Sequence, residues 1–157
     1  MPSLVSQIEE GIRAALKAGR KDELSALRLI KTELSNRRVD LKLQSIADLD
    51  DLTVVEVLRS MVKKRKNAIE LFEQGGRRDL ADRERFEITV IESLLPKEIS
   101  EEELCALARQ VIAEVKAQGP RDMGKVMGAL KGRPGVNPAT ASRLVKELLS
   151  ARASPSL

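Results

Sequence analysis

The stretch that decides the fold is Thr53–Gln74, TVVEVLRSMVKKRKNAIELFEQ. Apolar residues recur at Val54, Val55, Leu58, Met61, Val62, Ala68, Ile69 and Phe72. That is the i, i+3, i+4, i+7 spacing of one helix face. Thr53 and Glu56 read as an S/T-x-x-E capping box at its start, and Gly75-Gly76 as its stop. Arg59, Lys63, Lys64 and Lys66 fall on its other side. Arg65 falls on the apolar stripe. It is expected to lay its stem on the core and pair with a carboxylate such as Glu87. The other reading of Arg65 is an anion site between helices.

Working outward, every other periodic segment is also helical. Leu4 to Ala18 reads as a helix capped by Ser3, followed by a turn at Gly19 to Asp22. Asp22 is the expected N-cap of a second helix with Leu24, Leu27, Ile30 and Leu34 inside, ending between Asn36 and Leu43. Gln44 to Asp51 reads as a loop. Asp79 to Leu95 reads as a helix capped by Asp79 and ended by Pro96. Ser100 with Glu103 forms a capping box, and Ile99 with Leu104 a hydrophobic staple, at the start of a helix ended by Gly119-Pro120. A short helix follows from Met123 to about Lys131, capped by Asp122. Asn137 caps the last helix, with Pro138 in its first position. The expectation is an all-α chain: a four-helix bundle domain over residues 1–96, then a small three-helix domain with a basic surface over residues 97–157.

Composition narrows the chemistry. There are two Phe and no Trp or Tyr in 157 residues, so the core is aliphatic. Base stacking on exposed aromatic side chains is therefore disfavoured. There is no histidine, which removes the usual general base and the Ser/His and Cys/His arrangements. Cys105 is the single cysteine, read as core filler, so no intrachain disulfide and no Cys/His metal set can form. No metal or cofactor is expected. No apolar run approaches the ~20 residues of a membrane span. The opening MPSLVSQIEEG lacks a signal-peptide pattern, and a cytoplasmic protein is the expectation.

Charge is unevenly placed. Residues 1–96 carry 18 basic and 17 acidic residues, whereas residues 116–152 carry 8 and 2. The positive excess lies in the last quarter and favours a polyanionic partner. Within it, RDMGKVMGALKGRPGVNP puts Gly124 and Gly128 inside a predicted helix, each costing roughly 1 kcal/mol against alanine. Two explanations compete. One is close helix–helix approach. The other is approach of a nucleic-acid backbone to Gly124, Gly128 and Gly132, with Lys125, Lys131 and Arg133 neutralising phosphates and Arg143 and Lys146 extending the surface. The glycine spacing is not that of a P-loop. Lys63 to Lys66 spread around their helix and read as a solvated face.

The chain resembles the YqeY family over nearly all its length. LRLIKTEL, KKRKNAIELFEQGGRRDL, EITVIESLLPKEISEEEL, RDMGKVMGALKGR and NPATASRLVKELL carry the likeness. One departure is that Leu130 runs directly into Lys131-Gly132-Arg133, where many relatives have extra residues including a proline. The family is similar to the C-terminal tail of the B subunit of the glutamine-dependent aspartyl/glutamyl-tRNA amidotransferase. The resemblance implies a tRNA-binding module, non-catalytic by itself, because ammonia release and carboxylate activation belong to other subunits or domains. An adaptor docking on a tRNA-handling enzyme is the alternative. A carbon–nitrogen ligase activity with glutamine as amide donor is the third reading.

Overall fold

The computed structural model describes residues 2–131, 133 and 135–153. Among them there are seven α-helices and no strand. They are α1 (Leu4–Ala18), α2 (Lys21–Asp40), α3 (Asp51–Gln74), α4 (Arg78–Leu94), α5 (Glu101–Glu114), α6 (Met123–Lys131) and α7 (Pro138–Ala153). Contacts cluster the chain into two compact units, residues 1–95 and 96–157.

Residues 1–95 pack α1 to α4 around Ile8, Ile30, Leu34, Val54, Leu58 and Ile91, all essentially without solvent exposure. Each such side chain contributes about 1.5–3 kcal/mol by leaving water. The buried residues of α3 are Val54, Val57, Leu58 and Met61, all in its first half. Beyond Met61, its Ala68, Ile69 and Phe72 are half-buried and Leu71 is exposed. There Arg65 lies between the helices as the sequence suggested. Its Nε donates to Glu87 Oε2 at 2.9 Å, and Glu84 Oε2 lies 3.8 Å away. A guanidinium N–H also donates to the Met61 carbonyl.

Residues 96–157 pack α5, α6 and α7 around Leu104, Val111, Ile112, Val126, Leu130, Val145 and Leu149. Ser100 Oγ accepts from the Glu103 N–H, and Ile99 packs against this core. Asn137 Oδ1 accepts from the Ala139 N–H, while its side-chain amide donates to Glu98. The Ile99 N–H donates to the Gly135 carbonyl, which seats the α6–α7 loop beside the start of α5. Cys105 is only partly buried, packed at the margin of the core.

Four helix starts differ from expectation. Asp50, not Thr53, caps α3: its Oδ1 accepts from the Thr53 N–H at 2.8 Å, so Thr53 sits inside the first turn. Asp22 and Asp79 lie in first turns rather than at caps, and neither α2 nor α4 has a side-chain cap. Acidic residues there still favour the positive helix end. Asp122 does not cap α6 but accepts from the Gln118 N–H at 2.8 Å, closing the turn after α5. The segment expected as plain loop before α3 contains a 3₁₀ turn, Ile46–Asp48, held by a reciprocal Ser45/Asp48 box.

Candidate nucleic-acid interface

α6 is nine residues long, and Val126 and Leu130 are the two it buries. That choice of inner face turns Gly124 and Gly128 outward. A Cβ built on either glycine meets nothing within 4 Å. Among the described residues the close-packing explanation for these glycines is therefore overturned: no described neighbouring helix fills the groove they leave. Gly124, Gly128 and Lys131 follow i, i+4, i+7 and share one face of α6. Lys125 is exposed beside them. Gly132 lies outside the described residues.

Because the glycines are exposed, right-handed and uncrowded, Gly124→Ala with Gly128→Ala should stabilise the protein. The expected gain is about 1–2 kcal/mol for the pair, read as a shift in the denaturation midpoint. Unchanged or lowered stability would mean that this face is not bare.

The five cations of the predicted surface do not form one patch. Lys125 Nζ is 3.8 Å from Asp122, and the Arg133 guanidinium is 4.0 Å from Glu114. Arg143 pairs with Glu101 at 2.5 Å and with Glu147 at 3.7 Å. Glu101 and Glu114 are the first and last residues of α5. They are about 20 Å apart along its axis at 1.5 Å per residue. Arg143 thus belongs to the start of α5, among Glu101, Glu102 and Glu103, and is occupied there. Lys146 lies one turn further along α7 and is exposed, with no ion pair among the described residues. Lys131 is exposed.

In chain order Lys116, Arg121 and Lys125 flank the turn from α5 into α6, and Lys116 and Arg121 carry no sequence signal beyond their charge. Lys116 terminates α5 in the left-handed region at φ 56°, while the Ala117 N–H reaches back to the Ile112 carbonyl. That is the hydrogen-bond pattern of a Schellman stop, usually occupied by glycine, so residue type gave no signal. Asp122 is a carboxylate on which two of these cations, Arg121 and Lys125, act. Its pKa is lowered, first by the Gln118 N–H and also by Lys125 and Arg121. A depressed carboxylate stabilises the fold above its unfolded pKa and loses that contribution as pH falls through the folded value. The pairs of Lys125 with Asp122 and of Arg133 with Glu114 are long, at 3.8 and 4.0 Å.

Among the described residues, no group of three or more His, Cys, Asp or Glu is arranged to hold a metal. No described helix is long and apolar enough to cross a membrane.

Comparison with known proteins gives the following. Residues 5–149 match the family model described as Yqey-like protein. An uncharacterized protein of Schizosaccharomyces pombe is 32% identical over 100 residues, covering 64% of this chain and 78% of that protein. Altered inheritance of mitochondria protein 41 of Lachancea thermotolerans is 28% identical over 120 residues, covering 74% of this chain and 62% of its own length. The protein of the same name in Pyrenophora tritici-repentis is 23% identical over 154 residues, 95% of this chain and 82% of the relative.

Proposed function

The chain belongs to the YqeY family, and on that premise we propose that it is a tRNA-binding module, non-catalytic by itself, that grips the RNA backbone with residues 97–157. The observation that carries the reading is the bare outer face of α6, flanked by cations. Uncovered glycines in a helix cost stability without any internal return. A closely approaching backbone supplies a return, because it can come nearer to glycine than to any other residue. With no aromatic residue in this part of the chain, recognition rests on phosphates and shape rather than stacked bases. The reading treats the two units as separate domains and places the binding in the cytoplasm.

Lys125, Lys131 and Arg133 lead the contact set, with Lys146 an extension. Arg143 drops to last, since two carboxylates hold it at the other end of α5. Changing Lys125, Lys131 and Arg133 together to Gln should weaken tRNA binding about tenfold. It should also lower the slope of log K against log salt by about 2–3. Equal binding at all salt concentrations would overturn the reading. Capture of a protein that survives nuclease treatment, with no RNA affinity, would favour the adaptor instead. Glutamine-dependent transamidation by the purified chain would establish the ligase.

A further inference from the structure

Within residues 1–95, a cleft of about 200 Å³ opens between α2 and α3. Val57 and Met61 form its floor, both nearly fully buried. Glu33, Arg37 and Asp40 follow i, i+4, i+7 along α2 and give one wall. Lys64 faces them from α3. Two carboxylates and two cations therefore border one small space. They do not neutralise one another. Arg37 has Glu56 as its ion partner, at a long 3.9 Å. Glu33, Asp40 and Lys64 make no ion pair among the described residues. Their fields are thus open to a ligand.

The size and charge of the space select the ligand class. The volume falls below the roughly 300 Å³ where sites for drug-sized molecules begin, so a nucleotide is too large. A simple anion would meet Glu33 and Asp40, and a simple cation would meet Arg37 and Lys64. A small molecule carrying both charges avoids either conflict. We propose that the cleft binds a free α-amino acid. Its carboxylate faces Arg37 and Lys64, and its ammonium faces Glu33 and Asp40, above Val57 and Met61. This is independent of RNA binding by residues 97–157.

The test is a titration of the full chain with free amino acids, followed by the methyl resonances of Met61 and Val57. At least one amino acid should give saturable shifts with millimolar affinity. Its N-acetyl and its amide derivatives, each lacking one charge, should bind about tenfold more weakly. Lys64→Met should reduce the discrimination against the amide form, and Asp40→Asn that against the N-acetyl form, because Arg37 and Glu33 remain. Both side chains are exposed, so neither change threatens the fold. If no amino acid moves these methyls, or if the capped forms bind as well as the free one, the proposal fails.

Discussion

Gly135→Ala should destabilise residues 96–157 by about 3 kcal/mol, the larger of the two strongest effects expected of single substitutions here. Two costs add. Gly135 has φ +79°, in the left-handed region. A side chain there costs about 1–2 kcal/mol. A Cβ would also lie 2.6 Å from the Lys97 carbonyl oxygen and 3.3 Å from Ile99. The oxygen is backbone and cannot swing aside, so the loop must shift, at about 1–3 kcal/mol. That shift pulls on the hydrogen bond from Ile99 to Gly135, which ties the α6–α7 loop to the start of α5. Gly19 is the internal control. It has φ +73° but open space around it, so Gly19→Ala should lose only the conformational share, about 1 kcal/mol. Together with the stabilising changes at Gly124 and Gly128, this makes a graded series checked by denaturant melts. Equal losses at Gly19 and Gly135 would show that crowding at Gly135 is absent.

Arg65→Met should cost about 2 kcal/mol at neutral pH, and part of the loss should return in mildly acidic buffer. Methionine keeps the packing of the stem, so the change isolates the charge. What remains is Glu84 beside Glu87 with no cation between them. Removing one member of a fully buried pair costs about 3–5 kcal/mol. These side chains are 15% to 23% exposed, so water screens the bared charges and the cost is smaller. The pKa of Glu84 is already raised in the native protein, by burial first and by repulsion from Glu87 second. A raised carboxylate binds more protons folded than unfolded, so its penalty is present above the folded pKa and is relieved as pH falls through it. Removing Arg65 takes away the attraction opposing that rise and enlarges the pH dependence. Arg65→Met combined with Glu84→Gln should be less pH-sensitive than Arg65→Met alone. A loss for Arg65→Met that is the same in neutral and acidic buffer would sink the assignment.

Much of the architecture was legible because apolar spacing and several caps agreed. Ser3, Ser100 and Asn137 each accept the N–H expected of them. Arg65 was legible because a lone cation on an apolar stripe needs a carboxylate, and Glu87 lay at a suitable distance along the next helix. The choice among several nearby capping residues at helix starts was not. Asp50 and Thr53 are both good caps, and sequence carries no distance with which to rank them. The end of α2 at Asp40 falls inside the window expected for it, Asn36 to Leu43, whereas α5 stops at Glu114, ahead of the expected Gly119-Pro120, because the left-handed residue there is Lys116, φ 56°, and lysine carries no turn signal. The glycines of α6 were read as flexible between two explanations, and only the emptiness around them separates the two. The cationic surface misled most. Counting charges along the chain placed eight cations together, but folding puts Arg133 and Arg143 against carboxylates at opposite ends of α5.

The uneven burial of α3 bears on how this helix opens. Its first half is fastened by Val54, Val57, Leu58 and Met61, while from Val62 to Gln74 no side chain is fully enclosed. One continuous rod therefore has two lifetimes. Amide protons near Leu58 trade with deuterium only when the bundle itself comes apart, whereas those near Leu71 escape through local fraying. The far half is thus the part of the rod that a partner could bend or regrip without unfolding residues 1–95.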